Sequence, residues 1–339
     1  MDNGYKIDKS IYRRFDEKYQ MFSRYLWDET LSTYKNDFAK RLLEDLKEEK
    51  EGYTQFDYAF LKASWTVYNR FSFAFSWEGD TSVREDWYGY EIRKKKYKPE
   101  DIEKFTKQVK KVARFYGASL VGVAKLDERW LYRDVRLPEG IDKAIVMIVK
   151  MDSQALSTTP TLPASAATGL GYSKMAFLIS LMGEFIRNLG YHAVQAGNDT
   201  ALSIPLAIDA GLGALGRNGL LVTPEYGSGV RICKVFTDMP LITDQPNRGF
   251  IDYLKKFCKN CRRCAEACEN NAITFEIEPT MKGETPSNNP GVEKYYINPE
   301  KCFEFWTENN SDCSTCIVAC PFSKIGKRLT PKEFWTKDV

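Results

Sequence analysis

Cys258-Lys259-Asn260-Cys261-Arg262-Arg263-Cys264-Ala265-Glu266-Ala267-Cys268 is the stretch on which the reading of this chain turns, and Cys302, Cys313, Cys316 and Cys320-Pro321 complete it. The first four cysteines are spaced as in bacterial ferredoxins, where three wrap one iron–sulfur cube on a tight loop and the fourth ligates its neighbour. The second group opens with a gap of ten residues, wider than the ferredoxin spacing, yet it supplies four more thiolates and ends on the expected Cys-Pro. Crossing the fourth ligands assigns Cys258, Cys261, Cys264 and Cys320 to one [4Fe–4S] cluster and Cys268, Cys302, Cys313 and Cys316 to the other. Zinc prefers paired CxxC units separated by longer loops, so two zinc sites fit the pattern less well. Eight of the nine cysteines fall within the 63 residues from Cys258 to Cys320. Cys233 stands alone upstream and reads as a buried strand residue. A disulfide framework would serve a small secreted chain with a poor core. This chain has 339 residues, 43% of them apolar, and can bury a core without staples. Two adjacent cubes make an electron relay, and a relay requires a consumer of electrons.

Composition narrows the consumer only slightly. The net charge of +3 gives no sign of a nucleic-acid partner. Aromatic residues make up 14% of the chain. That is enough for a large aromatic core and also for an apolar pocket walled by Trp27, Trp65, Phe71, Phe73, Phe75, Trp77, Trp87 and Tyr88. No run of about 18 apolar residues occurs, so no transmembrane helix is predicted. Arg13-Arg14-Phe15 copies a twin-arginine signal in letters, but Asp16, Glu17 and Lys18 follow where an apolar segment belongs. No export signal is therefore read in this chain, although a mature form lacking its leader would look the same.

Periodicity orders the remainder. Residues 1–75 read as helical and aromatic-rich. Pro99 opens a helix with Asp101 and Glu103 in its first turn, ending at Gly117. Leu120 to Ala124 and Ala144 to Val149 read as strands, the second a continuous apolar run suited to burial on both faces. A Ser/Thr/Pro-rich loop is expected over 153–168, then a helix from about Tyr172 to Asn188, stopped by Gly190. Further strands are expected at Tyr191 to Gln195, Leu220 to Thr223 and Val230 to Thr237, with a helix near Leu206 to Ala210. The alternation predicts an α/β core. It suggests an N-terminal region over 1–98, the core over 99–245 and a cluster domain over 246–339. Gly211-x-Gly213-x-x-Gly216 copies a dinucleotide fingerprint, but it follows a helix and leads through Arg217-Asn218-Gly219 into a strand, the reverse of the required setting. A tight turn, or close backbone approach to a large cofactor, suits it better.

Several blocks together resemble the reductive dehalogenases, the corrinoid- and iron–sulfur-dependent enzymes of anaerobic organohalide respiration. The first is Tyr12-Arg13-Arg14-Phe15-Asp16-Glu17-Lys18. The second is Gly190-Tyr191-His192-Ala193-Val194, followed by Gly197-Asn198-Asp199-Thr200-Ala201-Leu202-Ser203. The third runs from Ala210-Gly211-Leu212-Gly213 through Pro224-Glu225-Tyr226-Gly227 and continues as Val230-Arg231-Ile232-Cys233-Lys234-Val235-Phe236-Thr237-Asp238. The last is the cysteine pattern with Cys320-Pro321-Phe322. The resemblance spans nearly the whole chain. It implies a nitroreductase-like α/β core cradling a base-off, cobalamin-type corrinoid. A helical, aromatic-rich N-terminal region would contribute to the substrate pocket, and a C-terminal ferredoxin-like domain would hold two [4Fe–4S] clusters. The only histidine agrees on one independent point: His192 has Gly190 where a D-x-H-x-x-G cobalt-ligand motif needs aspartate. It reads instead as a strand residue satisfied by a hydrogen bond.

The resemblance further implies reductive dehalogenation of an organohalide, with Tyr172 as proton donor assisted by Arg231 and Asn198. Without the family these three would read as a packing residue, an exposed strand charge and a turn former. A tyrosine keeps its proton at neutral pH, and a neighbouring cation stabilises the phenolate left behind and attracts the departing halide. Gly211, Gly213, Gly216, Arg217, Asn218, Gly219 and Ser173 are the expected corrinoid contacts. Cys268, Cys302, Cys313 and Cys316 should hold the cluster nearer the corrinoid, and the other set should meet an external low-potential electron donor. Members of the family usually act outside the cytoplasmic membrane beside a small membrane anchor protein. The chain is then the mature form of an exported, membrane-associated protein or a cytoplasmic member. Two alternatives are an epoxyqueuosine reductase-like enzyme and a non-catalytic electron-transfer or corrinoid-binding protein. The former would be expected to carry a basic face and helical repeats after the clusters, whereas this chain ends 19 residues after Cys320.

Overall fold

An unbroken apolar run at 144–149 becomes the central strand because both of its faces are covered. The computed structural model describes residues 5–36, 38–69 and 96–336. Phe71, Phe73, Phe75, Trp77, Trp87 and Tyr88, expected to wall a pocket, lie outside those residues. The strands are β1 (Leu120–Lys125), β2 (Lys143–Lys150), β3 (Ala193–Ala196), β4 (Ala214–Leu215), β5 (Leu221–Val222) and β6 (Val230–Thr237). Four of them form one sheet in the order β1-β2-β6-β3, antiparallel at every pairing. Ile145, Met147 and Val149 of β2 face Val121, Val123, Cys233 and Val235, beneath the helices Ile102–Phe115 and Leu162–Asn188. The alternate residues Ala144, Val146 and Ile148 pack with Val194, Ala196 and Phe236 against Leu206, Ala207 and Ile208 of the helix Ser203–Asp209. Each fully buried aliphatic side chain contributes about 1.5–3 kcal/mol, so two covered faces select apolar residues at every position.

The segment 153–168 departs from expectation. It is not a loop but a short helix, Ser153–Leu156, followed by the long helix Leu162–Asn188. Pro163 lies in the first turn, where its missing N–H is no loss. Ala164, Ala166 and Ala167 are buried there, so packing overrides a loop-like composition. Tyr172 consequently stands well inside the helix rather than at its start.

The regions before and after the sheet share its core. Tyr12, Ile251, Leu254 and Val292 belong to the same buried cluster as Val146 and Phe236. Tyr5 and Tyr12 meet Trp130 edge-on, at 5.3 and 5.9 Å. Met21 and Leu31 pack on Phe303 of the helix Pro299–Asn309. Among the described residues, no helix is long and apolar enough to cross a membrane.

Candidate functional site

Three separate elements deliver Tyr172, Asn198 and Arg231 to one place. Tyr172 comes from the long helix, Asn198 from the turn after β3, and Arg231 from the start of β6. The Asn198 Nδ2 donates to Tyr172 Oη at 2.7 Å. The Arg231 guanidinium lies 4.9 Å from the Tyr172 ring centroid and donates to Thr168 Oγ1 at 3.0 Å. A Cβ at Gly171 would come 2.9 Å from Arg231 Cγ, so glycine admits the arginine to the helix surface. The Tyr172 ring also stacks on Trp65 at 5.3 Å and meets Tyr68 at 5.1 Å. Trp27, also expected at the pocket, instead packs edge-on against Tyr19.

The loop bearing Asn198 is fixed from below by a buried cation. Lys234 of β6 has no solvent exposure, and its Nζ shares its three protons among Gly197 O (2.5 Å), Asp199 O (3.0 Å), Ala201 O (3.1 Å) and Ser203 Oγ (2.9 Å). Burial pushes its pKa down to about 8, with Asp199 pulling the other way. Tyr132 Oη donates to Asn198 O at 2.8 Å, and its backbone N–H donates to Thr200 O at 3.0 Å. Thr200 holds φ 72°, a left-handed conformation that a β-branched residue rarely adopts. Such strain costs about 1–3 kcal/mol and persists only where the surroundings over-determine it. His192 sits at the other end of β3, with Nδ1 3.3 Å from Asp238 Oδ2 and its backbone N–H donating to Oδ1 at 2.7 Å.

The residues expected to contact a corrinoid have other partners. Ser173 Oγ donates to Ser64 O at 2.7 Å and so ties the long helix to the helix Gln55–Ser64. A Cβ at Gly211, Gly213, Gly216 or Gly219 would meet Gln245, Val222, Asn218 or Ile297 respectively, all of them protein. Asn218 donates to Ser228 Oγ at 3.2 Å. The Arg217 guanidinium donates to Cys258 O, Thr274 O, Glu276 O and Lys259 O and lies 3.9 Å from the Tyr295 ring centroid. It is almost fully buried. Its five donors are thus spent on the end of the helix Arg248–Asn260 and on the segment after Cys268, and it fastens the cluster region to the core. Arg217→Ala is expected to cost roughly 3 kcal/mol or more, because buried carbonyls lose their donors. A drop in thermal midpoint with loss of iron would show it.

The structure gathers the cysteines into two sets. Cys258, Cys261, Cys264 and Cys320 lie close enough to influence one another's ionisation, and so do Cys268, Cys302, Cys313 and Cys316. The sets adjoin where Cys264 and Cys316 pack around Ala265 and Ile273. Burial, reinforced by neighbouring thiols, pushes Cys264 and Cys302 up to about 12, so a metal that takes thiolates must displace their protons. Among the described residues no three His, Cys, Asp or Glu side chains close on one ion-sized point; a cube keeps its ligands at separate corners.

The second set packs against the turn that precedes the long helix. Cys313 Sγ lies 3.3 Å from Thr315 Oγ1, which is 3.3 Å from Thr159 Oγ1, and the Ser314 N–H donates to Thr159 at 2.9 Å. Thr159 lies in the turn leading into the long helix. Cys316 also packs against the cluster of Met151, Leu156 and Ala167.

Sequence reading missed Tyr68, Thr168, Tyr132 and Lys234. For Lys234 a signal existed: it interrupts the otherwise apolar stretch Ile232-Cys233-Lys234-Val235-Phe236 of an expected strand. Nothing local marks the other three.

Residues 257–324 match the 4Fe-4S dicluster domain family. A tetrachloroethene reductive dehalogenase of Desulfitobacterium hafniense is 34% identical over 291 residues, covering 72% of this chain and 51% of that protein. One of Sulfurospirillum multivorans is 32% identical over 286 residues, covering 73% and 56%. A catabolic reductive dehalogenase solved in complex with 3-bromo-4-hydroxybenzoic acid superposes with a TM-score of 0.70 at 18% identity, covering 97% of this chain and 46% of that one. That likeness shows the shared fold. The chain spans about half the length of the curated relatives it matches. By its sequence and its fold, this chain belongs to the reductive dehalogenase family.

Proposed function

We propose that this chain dehalogenates an organohalide reductively: a carbon–halogen bond is replaced by carbon–hydrogen, two electrons and one proton are consumed, and a halide ion leaves. The observation that carries the reading is the meeting of Tyr172, Asn198 and Arg231 on three separate elements of one core. A corrinoid bound over this spot would supply the reduced cobalt that breaks the carbon–halogen bond. The residues present suit such a ligand. Arg231 Nε is buried with no acceptor from the protein, and the Asn198 side chain is exposed. The only histidine is held at Asp238, at the other end of β3, so it is not placed to serve as a cobalt ligand.

Tyr172 holds the proton on Oη. Asn198 donates to that same oxygen, so the phenolate left after proton transfer keeps a hydrogen bond. The Arg231 cation stabilises it further and attracts the departing halide. Trp65 and Tyr68 offer apolar surface, so a halogenated hydrocarbon would be chosen by shape and dispersion. Small chlorinated alkenes or alkanes are the class we favour, and relatives named for tetrachloroethene support it. The eight thiols, loaded as two [4Fe–4S] clusters, would give single electrons from an external low-potential donor a route past Cys264 and Cys316 to the Thr159 turn. Export and a small membrane anchor come to this chain only through the family resemblance.

The test is anaerobic reconstitution with iron, sulfide and hydroxocobalamin, then assay with reduced viologen against chloroethenes, chloroalkanes and halophenols. One halide should be released for every two viologens oxidised. Loaded protein that releases no halide from any class would leave only an electron-transfer or corrinoid-binding role.

A further inference from the structure

The surface around Cys261 has a composition that the dehalogenation chemistry does not require. Between Arg248 and Cys268 there are six cations, Arg248, Lys255, Lys256, Lys259, Arg262 and Arg263, against two carboxylates, Asp252 and Glu266. That local excess is larger than the +3 of the whole chain. Lys255, Lys256, Lys259 and Arg263 are exposed, and Lys259 is bridged to Glu278. Cys261 opens on a hollow of about 600 Å³ lined by Phe257, Asn260, Arg262, Arg263, Glu266 and Pro321.

Beside the hollow, Phe322 collects Phe257 at 5.0 Å and Tyr253 at 6.1 Å, and Tyr253 is 56% exposed. The patch therefore has an aromatic ledge next to a cluster ligand and a basic rim around it. An apolar centre lets a partner exclude water and come close, which electron transfer needs because its rate falls steeply with distance. A rim of one charge steers an oppositely charged partner into register.

We infer that this face is the docking surface for a small acidic protein carrying a one-electron centre, which delivers electrons at Cys261. The inference rests on the cluster reading above and adds to it the chemistry of the donor. An acidic carrier complements the lysines and arginines. A small dye would gain nothing from the ledge.

The experiment mixes the cluster-loaded chain with a reduced, acidic [2Fe–2S] ferredoxin in a stopped-flow instrument and follows ferredoxin reoxidation. The second-order rate constant should fall about tenfold or more as salt rises, and about as much in the double variant Lys256→Glu/Arg263→Glu. Reduction by a zwitterionic sulfopropyl viologen should change less than twofold. Lys256→Gln/Arg263→Gln should fall between, and it carries the test if the reversed variant loses clusters. A ferredoxin rate indifferent to both salt and charge reversal overturns the proposal. So does a variant that stops binding vesicles of anionic phospholipid while its ferredoxin rate is unchanged, for then the patch serves a membrane. Viologen-driven halide release reports separately on dehalogenation, so failure of either reading is recognised without the other.

Discussion

Tyr172→Phe is expected to lower halide release by about 10²–10⁴-fold, the usual contribution of a positioned proton donor. The variant keeps the ring that stacks on Trp65 and lies under the Arg231 guanidinium, and it removes only the hydroxyl. Asn198 loses its acceptor, but its side chain is exposed and water can replace the bond, so stability should move by no more than about 1 kcal/mol. Cluster absorbance and the bound-corrinoid spectrum should match the parent. A variant with full turnover would remove Tyr172 from the proton-donor role while leaving the cysteine sets untouched.

Lys234→Met is expected to be the most damaging single change outside the cysteines, at roughly 3–5 kcal/mol of stability, because a buried cation is removed from acceptors that stay behind. Three of those acceptors are carbonyls of the Gly197–Ala201 turn, and the turn includes the strained Thr200. Without the lysine the turn relaxes and Asn198 leaves Tyr172. Turnover should therefore fall together with the thermal midpoint, through the turn that Lys234 holds. Lys234→Arg should not rescue it, since a planar guanidinium cannot reproduce the ammonium's bonds in a closed site. The pH dependence has a definite sign. Burial places the folded pKa at about 8, while the unfolded chain retains the proton to about 10. The unfolded state binds more protons in that window, so this group's contribution to stability rises as pH increases from about 8. The rise should be absent in the Met variant. A parent whose stability is flat across the window, or a Met variant as stable as the parent, would contradict this account of Lys234.

The features most legible in the sequence rest on short-range geometry. The spacing of Cys258, Cys261, Cys264 and Cys268 is the spacing of a loop around a cube, legible without knowing the rest of the chain. β2 was legible because its apolar run from Ala144 to Val149 is long enough for a strand and is bounded by Lys143 and Lys150. The stretch 153–168 misled because Ser, Thr and Pro are loop-forming only where water can reach the backbone. Here Leu162, Ala164 and Ala167 are buried, and that burial favours helix.

Arg217 and Ser173 show the same limit at the level of single residues. A motif places an arginine or a serine at a position but does not say what it touches. Packing gave the Arg217 donors to Cys258, Thr274 and Glu276, and the Ser173 hydroxyl to Ser64.

The sequence by itself determined the two sets of four thiols, the α/β class and the residue types at 172, 198 and 231. Only the tertiary structure decided that these three positions meet, and that Lys234 holds one of them in place. The reason is physical: ligand spacing on one loop is a local property of the backbone, whereas positions separated by 26 and 33 residues come together only when the long helix and two strands pack around a common core.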